Sequence, residues 1–318
     1  MNLRSAWWRR GAVGLAALLA VGAIVMVAMS SGDDDGYAAM GPATARAGAV
    51  GPDRYTGPQG RVGQFVVRCD YSHSSNADPI VHFGQAGSSH HAHRHDFYGA
   101  LGTNARSRAG QLVRRPTTCD KEFDTAAYWH PSLYDHDVAV RPSSIAAYYR
   151  AAPGVPARTV RAFPFGLALI AGDATATTRQ RGDAVGWVCG SSTILNDTPP
   201  ECLASAPLHL VVTFQDCWDG EHLDAVDHRS HVAYSARGAC PASHPVHVPQ
   251  LTMSVAFPIS GSGHDFRLAS GTVYSAHADF LNAWDPAGLE REVDACIRHN
   301  VVCELASNRE EEALFQHR

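Results

Sequence analysis

Short runs in which apolar and polar residues alternate limit most strongly how this chain of 318 residues can fold. Residues 208–214, 251–257 and 272–281 each carry apolar side chains at every second position. Because successive side chains of a strand point to opposite faces, this period predicts three half-buried β-strands. Residues 165–170 and 185–189 are shorter strand candidates.

Only two segments favour helices. The first covers residues 142–151, and the second begins at Asp285 as N-cap with Pro286 in the first helical position. The second segment also places Leu289, Val293 and Ile297 on one helical face. We therefore expect a mainly β domain over residues 62–303: a disulfide-stapled β-sandwich or jelly roll with few short helices.

The N-terminus has the pattern of an export helix. An uncharged run over residues 11–29 follows Arg4, Arg9 and Arg10, and as a helix it would rise about 28 Å, close to the apolar thickness of a bilayer. Ala28-Met29-Ser30 is an acceptable cleavage site, so residues 1–30 are a signal peptide or a signal anchor. Both predict a domain outside the cell, secreted or membrane-anchored, and only an uncleaved helix would keep it in contact with the membrane.

Two further segments differ in composition from the domain. Residues 31–61 are rich in Gly, Ala, Asp and Pro without apolar periodicity, which is typical of a flexible linker. Residues 304–318 form a charged tail.

The cysteine content agrees with export. All eight cysteines follow the apolar run, and in an oxidising compartment an even number predicts disulfides, although eight cysteines allow 105 pairings. No C-x-x-C pair is present, which argues against a zinc ribbon or a thioredoxin-like site. The simplest pairing joins neighbours in sequence: Cys69–Cys119, Cys189–Cys202, Cys217–Cys240 and Cys296–Cys303.

Charge and motifs exclude several functions. A net charge of −5 with scattered arginines offers no basic surface for nucleic acid. The sequence also lacks the G-x-S-x-G elbow, the Walker loop and the G-x-G-x-x-G motif, so serine-hydrolase and nucleotide-binding functions have no support.

The 18 histidines are the strongest functional signal. His93 with His95, and His277 with Asp279, have the two-residue spacing that places both side chains on one face of a strand. Since neutral imidazole and carboxylate are common ligands, these four residues form a candidate site for a divalent metal. The alternative is that these histidines are hydrogen-bonded to backbone and stabilise loops. Candidate catalytic residues are His93, His95, His228, His231 and Tyr234, whereas a structural role is favoured for His90, His91, His244 and His247.

Aromatic residues beside turns suggest a sugar-binding surface, because exposed rings stack on sugar faces next to polar groups. The alternative is an aromatic core beside the disulfides, which is favoured for Trp187. The candidate substrate-binding residues are Tyr98, Tyr128, Trp129, Tyr134 and Trp218.

Eight ordered motifs resemble a family known only as a domain of unknown function, found in secreted actinobacterial and fungal proteins and sometimes joined to carbohydrate-binding modules. The resemblance spans residues 63–303, with His90, His91 and Ala100 as departures from the family pattern. It implies an extracellular, polysaccharide-related setting and assigns no catalytic residue. The motifs cover residues 93–99, 118–119, 128–134, 171–173, 217–220, 227–234, 240–246 and 277–284.

Two hypotheses follow. In the first, the domain is an exported lyase or hydrolase acting on polysaccharide or cell-envelope glycan, with a histidine as general base and Tyr234 or Tyr98 as proton donor. In the second, it is a non-catalytic module that binds glycan or a divalent metal. Histidines converging in a cleft favour the enzyme, whereas histidines scattered over the surface favour the module.

Overall fold

A computed structural model describes residues 63–84, 92–180 and 184–303. The predicted export helix over residues 1–30, the linker over residues 31–61, the tail over residues 304–318, and both His90 and His91 lie outside the described residues. Within the described ranges, no helix combines the length and apolar character needed to cross a membrane.

The described chain is mainly β, with short helices between and after the strands. Its two α-helices are α1 (Ala109–Leu112) and α2 (Pro286–Glu292), accompanied by 3-10 turns at Ala157–Thr159 and Val273–Ser275 and a π-helical segment at Val293–Arg298. The strands are β1 (Gln64–Ser75), β2 (His95–Gly99), β3 (Ala127–Pro131), β4 (Leu133–Asp135), β5 (Val138–Val140), β6 (Ser144–Arg150), β7 (Ala168–Gly172), β8 (Val185–Cys189), β9 (Leu208–Thr213), β10 (Cys217–Trp218), β11 (Val232–Ala233), β12 (Val246–His247), β13 (Gln250–Ala256), β14 (Phe266–Leu268) and β15 (His277–Leu281).

Nine strands form one antiparallel sheet in the order β7-β15-β3-β2-β1-β6-β13-β9-β8. The 12-residue strand β1 pairs with β6 through its first half and with β2 through its second half, and a bulge between Tyr71 and His73 separates the two halves. Because a bulge bends a strand, β1 can belong to both halves of the sheet. The sheet is nearly closed and barrel-like, with β7 near β9 and the Gln215 amide donating to the Ile170 carbonyl at 3.0 Å.

This architecture corrects one part of the fold prediction. The mainly β class, the few short helices and the four disulfides are confirmed. A sandwich or jelly roll requires two separate facing sheets, whereas β1 here joins both halves into one sheet. Two small three-stranded sheets flank it, β11-β10-β12 and β14-β4-β5.

The main core lies inside the curved sheet. In β9, Leu208, Leu210 and Val212 are fully buried, and β13 contributes Leu251 and Met253 in the same alternating manner. A second, smaller apolar cluster lies on the opposite face of β2, β3, β7 and β15. Residues from the 77–80 and 105–112 segments cover that face, so these four strands are buried on both sides.

The second predicted helix is confirmed and the first is wrong. The Asp285 side chain accepts a hydrogen bond from the Gly288 amide at 2.8 Å and caps α2 as expected. Residues 142–151 instead contain strand β6, whose alternate residues Ile145, Ala147 and Tyr149 are buried. Pairing of β6 with both β1 and β13 outweighs the helical preference of its alanines.

The predicted strand over residues 272–281 forms only in its second half. Its first residues form the 3-10 turn at Val273–Ser275, and β15 begins at His277. The candidate over residues 165–170 is displaced, because β7 runs from Ala168 to Gly172. The candidate over residues 185–189 coincides with β8.

Four disulfides connect the cysteines in sequential order: Cys69–Cys119, Cys189–Cys202, Cys217–Cys240 and Cys296–Cys303. These are the pairs that the simplest reading of the sequence predicts. Multiple disulfides indicate an oxidising environment such as the cell exterior.

Candidate functional site

A group of three histidines lies at one end of β2 and β15, on the outer face of the sheet. Strand β3 lies between these two strands and pairs His95 with Pro131 and Asp279 with Trp129. Pro131 and Trp129 are two residues apart, as are His277 and Asp279, so His95 and His277 stand at the same level on either side of β3. Their side chains share the face of the smaller apolar cluster, and His93 joins them from the segment before β2.

The rings of these three residues converge. The His93 and His277 Nε2 atoms are 3.2 Å apart, and the ligand nitrogens of His93, His95 and His277 all lie within 4.8 Å of one another. Two nitrogen ligands that each lie about 2.1 Å from one ion are about 3.4 Å apart in tetrahedral geometry. The His93–His277 pair therefore already has the spacing of two ligands on one metal ion, and binding would draw His95 slightly closer.

Backbone carbonyls hold two of the rings in a defined tautomer. His95 Nδ1 lies 2.9 Å from the Ala77 carbonyl oxygen, and His277 Nδ1 lies 2.8 Å from that of Ser275. A carbonyl oxygen only accepts, so each Nδ1 carries the proton and each Nε2 presents its lone pair to the site. This is the usual arrangement of a metal-binding histidine, whose second nitrogen is held by a neighbouring acceptor. In the buried His95, Nε2 has no hydrogen-bond partner among the described residues.

All three histidines are neutral at physiological pH. Burial, followed by the charge of His93, lowers the pKa of His277 to about 3. Burial, followed by the effect of His82, lowers the pKa of His93 to about 4, and burial moves the pKa of His95 well below its ordinary value. Since only neutral imidazole binds a metal, burial prepares these residues as ligands.

The histidine group opens onto a cavity of about 370 Å³. Asp279 lines this cavity with His93 and His277 but is not part of the closely spaced three-histidine group. Its Oδ2 atom is buried without a hydrogen-bond partner in the described structure, and burial is the main cause of its strongly raised pKa. Asp78 also lines the cavity, and burial raises its pKa although its Oδ1 accepts from the Ile80 and Val81 amides.

Of the other candidate catalytic residues, only His228 belongs to this cavity. His228 Nδ1 lies 2.9 Å from an Asp224 carboxylate oxygen. The buried His231 donates from Nε2 to the Ala168 carbonyl at 2.7 Å, and the Tyr234 hydroxyl donates to the Thr213 carbonyl at 2.8 Å. Neither His231 nor Tyr234 lines the cavity, so the structure does not bring them to the histidine group.

Three of the predicted sugar-binding aromatics are core residues. Tyr98, Tyr128 and Trp129 have no exposed surface. The Tyr98 hydroxyl lies 2.9 Å from His130 Nε2, and the Tyr128 hydroxyl donates to Asp124 at 2.6 Å. A fully buried ring cannot stack on a sugar, so these assignments are wrong, and Tyr98 cannot act as a proton donor in the cavity.

The two remaining aromatics, Tyr134 and Trp218, are half-buried and engaged locally. The guanidinium of Arg267 lies 4.1 Å from the centre of the Tyr134 ring. The Trp218 indole donates to the His222 carbonyl at 2.6 Å. Neither lines the cavity, so the structure does not bring them to the histidine group.

Several cavity residues were not candidates from the sequence. Asp78, Asp173 and Arg229 line the cavity from three separate loops. Arg229 and Asp173 lie in two of the motifs that carry the family resemblance, over residues 227–234 and 171–173, and this is the sequence signal for them. Asp78 lies in none of these motifs, and its place in the cavity depends on contacts between distant segments that a single sequence does not reveal.

Comparison with known proteins gives a family but no described relative. No curated protein and no solved structure matches the chain significantly. One family model matches residues 78–284, which is more than half of the chain and includes the three histidines and the cavity residues. The chain therefore belongs to the family described as a domain of unknown function (DUF1996).

Proposed function

We propose that this domain is an exported, metal-dependent enzyme acting on polysaccharide or cell-envelope glycan, with His93, His95 and His277 as ligands of one divalent transition-metal ion. The observation that carries the proposal is the convergence of three neutral imidazoles, within 4.8 Å of one another, at the wall of a cavity. Four disulfides and the apolar N-terminal run support an extracellular setting.

The number of ligands favours catalysis over a purely structural metal. Structural zinc sites are closed by four protein ligands, whereas catalytic sites use three and leave a position for water or substrate. Among the described residues, no fourth histidine, cysteine or carboxylate belongs to the close group. The open side faces the cavity, where a substrate can approach.

The chain supplies a group for proton transfer. A bound metal ion would contribute Lewis-acid chemistry and lower the pKa of a bound water. His228 lines the same cavity, and the Asp224 carboxylate 2.9 Å from Nδ1 orients its ring. Such a carboxylate–imidazole pair suits a general base or acid, so His228 is the residue we assign to move the proton.

Metal analysis of the purified full-length chain tests the proposal. The chain is stripped with a chelator, incubated with zinc or copper, dialysed and measured by elemental analysis. We expect one ion per chain in the wild type and in the control His299→Ala, which changes an exposed histidine outside the cavity lining, and none in His93→Ala/His277→Ala. A wild type without metal, or a double variant that keeps it, would refute the three-histidine site.

A glycan-degradation screen then tests the enzymatic part. The metal-loaded chain should release products from at least one extracellular polysaccharide, and His228→Ala should retain the metal but lose the activity. Binding of metal and glycan without product would instead support the non-catalytic module.

A further inference from the structure

Arg229 contributes a guanidinium group to the lining of the cavity. It lines the cavity on an exposed loop, and among the described residues its guanidinium has no hydrogen bond or ion pair. An arginine in the lining of the cavity that His93 and His277 also line is available to a ligand.

The carboxylates of the cavity rim are held by their own loops. Asp173 accepts from the Thr175 amide and hydroxyl at 2.9 and 2.7 Å. Asp227 accepts from the Arg229 and Ser230 amides at 3.1 and 2.8 Å. Within the part of the chain that the structure describes, neither carboxylate forms an ion pair, and each oxygen has further lone pairs that accept from hydroxyl groups.

The Arg229 guanidinium and the carboxylates of Asp173 and Asp227 bind different parts of one ligand. An arginine fork matches the two oxygens of a carboxylate or the oxygens of a phosphate, whereas ionised carboxylates repel such groups and bind hydroxyls. Apolar side chains of Val81, Ala92 and Ile170 complete the wall, and the volume of about 370 Å³ lies in the range of small-molecule sites.

We infer that the cavity binds an acidic sugar unit: a hydroxyl-rich ligand whose single carboxylate or phosphate group pairs with Arg229 while hydroxyls donate to Asp173 and Asp227. This inference rests on the proposed function for the role of the cavity and names its substrate class. Asp173 and Asp227 line the same cavity as Arg229, so the site offers both a partner for an anionic group and acceptors for hydroxyls.

Calorimetric titration of the full-length chain with three probes tests the inference. The probes are a glucuronic-acid tetrasaccharide, a glucose tetrasaccharide of equal length and inorganic phosphate. We expect the wild type to bind the acidic oligomer, or phosphate, at least tenfold more tightly than the neutral oligomer. Stronger binding of phosphate would assign the anionic group as a phosphate, and stronger binding of the uronate would assign it as a carboxylate.

Variants of Arg229 provide the critical comparison. Arg229→Gln should lose at least tenfold in affinity for the anionic probe without changing the affinity for the neutral oligomer, and Arg229→Lys should retain part of it. The control Arg158→Gln removes another exposed arginine, outside the cavity, and should bind like the wild type. Equal affinity of the wild type for acidic and neutral oligomers without phosphate binding, or wild-type behaviour of Arg229→Gln, would overturn the inference.

Metal content measured on the same samples separates this inference from the proposed function. Arg229 is exposed and is not a ligand, so Arg229→Gln should keep its metal and its melting temperature. A chain that binds the anionic probe through Arg229 without holding metal would refute the metal centre alone. A chain that holds metal but ignores the charge of the probe would refute the acidic-sugar assignment alone.

Discussion

The carboxyl group of Asp124 should make the stability of this domain decrease between acidic and neutral pH. Asp124 is fully buried, and burial raises its pKa from an ordinary value of 3.8 to about 8. Between these values the folded state retains a proton that the unfolded state has lost. The free energy of unfolding therefore falls as the pH rises, by about 1.4 kcal/mol per pH unit, and the stabilisation present below pH 3.8 is lost by about pH 8.

Replacement of Asp124 by Asn removes this titration while preserving the shape of the group. The Asn oxygen can still accept from the Ala126 amide, which lies 3.1 Å from Asp124 Oδ1, and the amide can face the Tyr128 hydroxyl. Between pH 5 and pH 7, the free energy of unfolding of Asp124→Asn should rise by about 2.7 kcal/mol relative to that of the wild type.

Urea denaturation of both proteins at pH 5, 6 and 7 measures this difference. The matched control is Asp70→Asn, which changes an exposed aspartate of β1. The control should follow the wild type at all three pH values. If Asp124→Asn also follows the wild type, Asp124 is ionised in the folded domain and the reasoning from burial is refuted.

Three further substitutions test the structure. Lys121→Met should lower the free energy of unfolding, measured in urea, by about 3–5 kcal/mol, because the buried Glu292 carboxylate loses the ammonium group that lies 3.1 Å from it in the wild type. The double variant Lys121→Met/Glu292→Leu should recover most of that stability, and additive losses would contradict the pairing. Cys217→Ser/Cys240→Ser should lower the free energy of unfolding by about 3 kcal/mol, since the disulfide joins residues 23 apart; a loss below about 1 kcal/mol would contradict this. Gly172→Ala should lower the free energy of unfolding by more than about 1 kcal/mol and weaken metal binding, because Gly172 has φ +85° and an added Cβ would lie 2.5 Å from the Ala276 carbonyl oxygen, just before β15. A melting temperature and a metal titration equal to those of the wild type would contradict this close approach.

Local patterns were sufficient for features that depend on neighbouring residues. Alternation over residues 208–214 and 251–257 predicts β9 and β13 with the correct buried faces, and Asp285 with Pro286 predicts the start of α2. The cysteines pair in sequential order, so each disulfide joins the nearest available partner. These predictions succeed because one strand face, one helix cap or one loop determines them.

The candidate site shows where such reasoning ends. The two-residue spacings of His93 with His95 and of His277 with Asp279 identify residues on one face, and three of these four converge. The spacing does not show that β3 lies between β2 and β15, nor that Asp279 stays outside the close group while His228, Asp78 and Arg229 reach the same cavity.

Burial on both sides of the sheet was decided by tertiary structure alone. A period of two assigns residues to opposite faces of a strand, but it does not say which face is covered. Here the main core covers one face of β2 and β3, and residues from the 77–80 and 105–112 segments cover the other, so Tyr98, Tyr128 and Trp129 are buried instead of exposed. The β class and the ligand types follow from local chemistry. The barrel-like closure, the cavity and the burial that keeps the histidines neutral depend on contacts between residues far apart in sequence.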